Sequence, residues 1–152
     1  MSRSHAMSET LIPLAEQRLT RSALSRLSKP VREGKGRLVY LVGAAGCGKS
    51  ALIREFVRDL ENSCVITATE FAAQLAESSD KKELAEFQLR FRAISVLCCE
   101  DIHGIAGRPQ TQQQLLVIID ELTNHGHDVV VSSTKMPGQL DSYLPKLVNR
   151  FR

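Results

Sequence analysis

Leu38-Val39-Tyr40-Leu41-Val42 runs without a break into Gly43-Ala44-Ala45-Gly46-Cys47-Gly48-Lys49-Ser50. The first five residues form a continuous apolar run, which reads as a strand covered on both faces of a parallel sheet. From Lys49 to Leu60, Leu52, Ile53, Phe56, Val57 and Leu60 recur at helical spacing and predict a helix with one apolar face. Between strand and helix stands the G-x-x-x-x-G-K-[ST] pattern, in the context a phosphate loop requires. Its glycines let backbone N–H groups turn toward one anion, and the helix N-terminus adds the positive end of its dipole. Lys49 reaches the terminal phosphates and Ser50 offers a hydroxyl to Mg²⁺. Gly43, Gly46, Cys47, Gly48, Lys49, Ser50 and Ala51 are therefore candidate nucleotide-binding residues, with ATP or ADP and Mg²⁺ as the implied cofactors.

Working outward, Cys64-Val65-Ile66 reads as a second strand, Ser95 to Cys99 as a third and Val129 to Ser132 as a fourth. Helices are predicted around Glu70–Glu77, over Lys81–Phe91, where Asp80 and Glu83 have capping-box spacing, and over Gln110–Asn124, ended by Gly126. Upstream, Leu19, Ala23, Leu24 and Leu27 predict an amphipathic helix over Glu16–Leu27, broken by Pro30, Gly34 and Gly36. Alternating strands and helices imply an α/β fold built on a central parallel sheet. Residues 1–10 read as a leader or expression remnant and residues 11–152 as one domain.

The strand Val96-Leu97-Cys98-Cys99 is followed by Glu100 and Asp101. After a phosphate loop, two acids at a strand end are candidates for a metal-holding and a water-activating carboxylate. Read alone, the same two acids fit a simple strand-end turn equally well. Ser132-Ser133-Thr134 closes the last strand, where ligands of parallel sheets sit, so Thr134 either touches the γ-phosphate or its water, or serves as a turn hydroxyl.

Composition constrains the rest. The chain has 152 residues, 43% hydrophobic and 24% charged, which suits one globular core. A net charge of +3 is too small to mark a nucleic-acid binder. Arg18, Arg21, Arg26, Lys29, Arg32, Lys35 and Arg37 do outnumber the lone acid Glu33, though a solvated helix face and loop is the better account of them. The four cysteines, Cys47, Cys64, Cys98 and Cys99, make no C-x-x-C pair, so neither zinc nor a disulfide framework is indicated and reduced thiols in a cytoplasm fit. No apolar run approaches the roughly 20 residues of a membrane span. Cys47, beside Lys49 at a helix N-terminus, is either a reactive thiol that nucleotide would shield or a small tolerated side chain.

Taken together, these stretches resemble a known family, the AAA+ ATPase domain of the bacterial replication initiator DnaA. The resemblance is carried by Glu16-Gln17-Arg18-Leu19, the phosphate loop, Thr69-Glu70-Phe71 and Val96 to Ile102. Further stretches are Ala106-Gly107 with Thr111-Gln112, Ser132-Ser133 with Pro137, and Asn149-Arg150-Phe151. It implies a three-layer P-loop fold and ATP-controlled self-assembly on origin DNA. Lys49 and Ser50 would hold phosphate and Mg²⁺, Glu100 and Asp101 would be the acidic pair, and Thr134 the first sensor.

Ile12 and Pro13 would lie beside the adenine, and Arg150 would reach into a neighbouring subunit's ATP. Without the resemblance, Arg150 reads as a surface arginine in a last helical turn. The family has Asp where this chain has Glu100, a glycine where it has Leu14, and basic residues that engage single-stranded DNA where it has Arg108-Pro109-Gln110. The helical lid with its second sensor and the helix-turn-helix domain of the family lie beyond Arg152. The chain is thus expected to be an excised domain or a short relative, with the lid absent, weak ATP binding and very low turnover. The alternative is a non-hydrolysing module that docks on another initiator or a helicase loader. A small-molecule kinase would need an acceptor-binding insertion, and none is evident. A GTPase is disfavoured because Thr134-Lys135-Met136 leads to Pro137 and lacks the guanine-gripping carboxylate.

Overall fold

In a computed structural model, residues 11–13, 35–44, 46, 48–78 and 80–152 are described. The helix expected over 16–27 and most of the basic stretch around it lie outside the described residues. So do Leu14, Ala45 and Cys47, and with Cys47 the thiol hypothesis.

The strands are β1 (Leu11–Pro13), β2 (Leu38–Val42), β3 (Ser63–Thr67), β4 (Val96–Glu100) and β5 (Asp128–Ser133). The helices are α1 (Lys49–Val57), α2 (Ala68–Glu77), α3 (Lys81–Arg92), α4 (Pro109–Asn124) and α5 (Pro145–Phe151). Short 3₁₀ turns occupy Ile102–Ile105 and Pro137–Gln139. The sheet order is β1-β2-β5-β4-β3 and every pairing is parallel.

A central parallel strand must be apolar on both faces, and β2, β4 and β5 are buried at every position. On one face, Val39, Leu41, Val96, Cys98 and Val130 pack with Leu52 and Ile53 of α1. On the other, Tyr40, Val42, Leu97, Cys99, Val129 and Val131 join Phe71, Phe87 and Phe91 of α2 and α3, Leu115 and Ile119 of α4, and Leu147 and Phe151 of α5. The result is the expected three-layer α/β arrangement. Phe71, Phe87 and Phe91 pack mutually at centroid separations of 5.0–5.5 Å, in the tilted and edge-on geometries aromatic rings prefer.

Four sequence expectations shift. The first helix ends at Val57 rather than Leu60. Glu100 is the last residue of its strand, not the first residue after it. The helix expected near Glu70 begins at Ala68, because Thr67 caps it: Thr67 Oγ1 accepts from Glu70 N at 3.0 Å while Glu70 Oε1 accepts from Thr67 N at 2.9 Å. At Asp80 only the forward half of the expected box is seen, Glu83 N donating to Asp80 Oδ1 at 2.8 Å.

Gln112, at 1% exposure, ties three segments together. Its Nε2 donates to Ile105 O at 2.8 Å and Ser142 O at 2.9 Å, and its Oε1 accepts from Leu144 N at 2.7 Å. It thereby fixes both the turn after β4 and the start of α5. Gln112→Leu keeps the volume but strands the Leu144 amide, while Ile105 O and Ser142 O keep the bonds they accept from Arg108 N and Gly107 N, so a loss of about 1–3 kcal/mol is expected in urea unfolding. A change below about 0.5 kcal/mol, the range of ordinary surface substitutions, would show that water satisfies that amide.

Candidate functional site

The C-terminal ends of the strands make one edge. In β2 and β5, Val42 is in register with Ser133, and Gly43 N donates to Ser133 O at 3.1 Å. In β3 and β4, Thr67 is in register with Glu100. The chain leaves this edge at Gly43 and returns as α1, passing through Gly46 with φ of 79° and Gly48 with φ of 97°. Both values lie in the left-handed region that glycine adopts without a Cβ penalty. No acidic residue occupies the first turn of α1, so its dipole end is left uncancelled by side chains of that turn.

Lys49 is 7% exposed. Its Nζ donates to Gly43 O at 2.7 Å and Ala44 O at 3.0 Å, so the ammonium lies inside the bend of the loop. The next residue, Ser50, donates from Oγ to Glu100 Oε1 at 2.5 Å, joining α1 to the end of β4. Glu100 is 5% exposed and presents hard oxygen donors beside the hydroxyl. A hydroxyl and a carboxylate at the foot of a phosphate loop suit Mg²⁺, which binds proteins through one or two carboxylates and completes its shell with water and phosphate oxygen.

Asp101 adopts a left-handed conformation, φ 57° and ψ 61°, uncommon outside glycine but tolerated by Asp. It is held there by its own N–H donating to Ser132 Oγ at 3.1 Å and by Gly104 N donating to Asp101 O at 2.9 Å. Gly104 fits because a Cβ at that position would lie 2.3 Å from Thr69 Oγ1 and 2.9 Å from Thr69 N. Thr134 is exposed immediately beyond β5. Ile12 and Pro13 are in register with Leu41 and Val42, so the backbone of β1 also ends at this edge, one residue short of Gly43. No strand is expected there from the sequence, because a three-residue segment ending in proline has no readable alternation.

Arg150 lies apart from this cluster, on α5. Its Nε and Nη2 donate to Asp120 Oδ1 and Oδ2 of α4 at 2.7 and 3.0 Å. The Asp120 carboxylate raises the Arg150 pKa further, first through the hydrogen bond and then through its charge. The next residue, Glu121, takes Arg92 of α3 in the same two-point manner. Neither acid stood out in the sequence, where both read as the polar face of a helix. Arg108, exposed at the start of α4, borders a cavity of about 670 Å³ together with Ala72, Leu75, Leu84, Gln110 and Leu144. None of the residues lining it belongs to the phosphate loop.

A parallel sheet in the order above, with a glycine loop entering a helix at its C-terminal edge and a buried acid two strands over, beyond the intervening β5, defines a P-loop nucleotide-binding domain of the AAA+ type. The family model described as the bacterial DnaA ATPase domain matches residues 3–152. This chain belongs to that family. Among curated relatives, the chromosomal replication initiator DnaA of Oleidesulfovibrio alaskensis is 32% identical over 135 residues, and that of Pseudothermotoga lettingae 31% over 126. These alignments cover 89% and 78% of this chain but 28% of each relative, so the chain spans less than a third of their length.

Among solved structures, domain III of Thermotoga maritima DnaA superposes with a TM-score of 0.79 at 24% identity, covering 90% of this chain and 59% of that one. A replication initiator DnaA bound to AMPPCP and single-stranded DNA superposes with a TM-score of 0.75 at 21% identity, covering 89% and 43%. These two likenesses bear on the fold.

Proposed function

We propose that residues 11–152 are one ATP-binding AAA+ module of a DnaA-type replication initiator, whose nucleotide state controls self-assembly on origin DNA. The observation that carries this reading is the convergence of Lys49 and Ser50 of the phosphate loop with Glu100 at the end of β4. Gly43, Gly46, Cys47, Gly48, Lys49, Ser50 and Ala51 hold the phosphates, and Ser50 with Glu100 takes Mg²⁺, which supplies charge neutralisation to the phosphate oxygens. Ile12 and Pro13 flank the adenine, a role supported by the pairing of β1 beside the loop strand. Asp101 orients the attacking water and Thr134 senses the γ-phosphate, both from the same sheet edge. Arg150 serves the ATP of a second copy, stabilising transition-state charge in trans.

Contact with single-stranded DNA by this domain rests on Arg108 alone among the family's basic positions there. The described cysteines Cys64, Cys98 and Cys99 are free thiols, which suits a reducing cytoplasm. Among the described residues, no helix is long and apolar enough to cross a membrane.

A second reading, a regulatory module that binds ATP without hydrolysing it, is favoured by the direct Ser50–Glu100 hydrogen bond, since the longer acid engages the metal-binding hydroxyl itself. Calorimetric titration with Mg-ATP, Mg-ADP and Mg-GTP tests the shared premise. Adenine-selective binding is expected; equal affinity for GTP, or no binding, would overturn both readings. Phosphate release from Mg-ATP, measured at chain concentrations high enough for assembly, then separates them.

A further inference from the structure

Arg150 Nε and Nη2 face the two oxygens of Asp120. A guanidinium is a rigid plane with five N–H donors. Asp120 takes one donor from Nε and one from Nη2, which is the side edge of the fork. One donor of Nη1 and the second donor of Nη2 make up the end edge, a pair of parallel N–H groups suited to phosphate oxygens, and the other Nη1 donor points away from both. The Arg150 side chain is 49% exposed, so the pair leaves it accessible. Meanwhile α5 is anchored by other means: Leu147, Val148 and Phe151 are buried, and Leu144 N is bound by Gln112.

We propose that Asp120 is a positioning residue, holding the Arg150 guanidinium by its side edge so that its end edge is presented to the nucleotide phosphates of a second copy of this chain. This rests on the in-trans reading of Arg150 given above. An arginine loses substantial rotamer freedom when it docks, and a carboxylate that has already fixed the guanidinium removes most of that loss from the assembly step. Because an exposed ion pair adds little to folding, removal of Asp120 is expected to act on assembly rather than on stability.

The test is sedimentation velocity of the whole chain with Mg²⁺ and a non-hydrolysable ATP analogue, with thermal melting and nucleotide titration on each variant. Arg150→Ala is expected to abolish nucleotide-dependent association. Asp120→Ala is expected to weaken it about tenfold while nucleotide affinity and melting temperature stay unchanged. Asp120→Asn, which keeps one acceptor oxygen, is expected to fall between and serves should the alanine variant fold poorly. The unchanged melting temperature and nucleotide affinity of Asp120→Ala are the discriminating readout, since a merely structural role for Asp120 would lower them along with association. If Arg150→Ala abolishes association but both Asp120 variants match the unmodified chain or associate more tightly, positioning by Asp120 is wrong and the in-trans role survives. If the unmodified chain shows no nucleotide-dependent association, or Arg150→Ala leaves it intact, the in-trans role fails and positioning falls with it.

Discussion

Lys49→Ala is expected to weaken Mg-ATP binding by about a hundredfold or more while leaving the fold intact. The Lys49 ammonium sits within the loop on Gly43 O and Ala44 O at 2.7 and 3.0 Å, so it is already at the place where phosphate charge must be met. A hydrogen bond to a charged group contributes about 1.5–3 kcal/mol, and losing one or two of them amounts to factors of roughly 10 to 10⁴ in affinity. Stability should hold, because the substitution removes a buried charge rather than an apolar contact, and Ala44, one of the two carbonyl partners, is exposed to water. The loop also keeps its two left-handed glycines and the dipole end of α1, so residual anion binding is expected to survive. Calorimetry on the variant is the check. Wild-type affinity for Mg-ATP in a folded Lys49→Ala chain would mean that nucleotide, if bound, is held somewhere other than this loop.

The parts of the molecule legible in the sequence were those whose signal is local. A continuous apolar pentapeptide, a spaced glycine motif and a helical stripe are each written within a few residues, so β2, the loop and α1 could be read directly. Glu100 and Asp101 were likewise visible as acids ending an apolar run. The strand that includes Glu100 extends one residue further than its apolar pattern, because pairing with Thr67 continues the ladder past the last hydrophobic side chain.

What escaped reading was non-local. β1 is too short to carry a period, and its pairing with β2 joins Leu11 to Tyr40 across the intervening chain. Gln112 looks like any polar helix residue until three backbone partners from two other segments enclose it. Asp120 and Arg150 meet only because α4 and α5 pack side by side, a relation that neither helix pattern states. The cap at Thr67 was overlooked because the apolar rhythm, not the hydroxyl before it, set the expected start of α2.

Phe151→Ala should be the most destabilising single change at α5, costing about 3–5 kcal/mol. Phe151 is fully buried, and its ring lies 5.0 Å from that of Tyr40 at an interplanar angle of 33°. Tyr40 belongs to β2, the strand that delivers the phosphate loop, and its hydroxyl donates to Lys135 O at 2.6 Å just past β5. Burial raises the Tyr40 pKa to about 12, so the ring stays neutral across the working pH range and the contact is insensitive to it. Truncation leaves a void beside Tyr40 that the hydrogen-bonded parallel strands around it cannot collapse to fill. For a domain of this size, each kcal/mol corresponds to roughly 2–4 °C, so a fall of the order of 10 °C in melting temperature is expected. Phe151 also directly follows Arg150 on α5, so the same change should loosen the helix that carries the arginine and reduce nucleotide-dependent association even below the melting transition. Phe151→Leu, which refills most of the volume, should recover the larger part of both losses. Thermal and denaturant unfolding decide the matter: a loss under about 1 kcal/mol for Phe151→Ala would mean that α5 is tied to the sheet by Gln112 and the Leu147–Val148 contacts, and that the aromatic pair with Tyr40 contributes little to holding Arg150 in place.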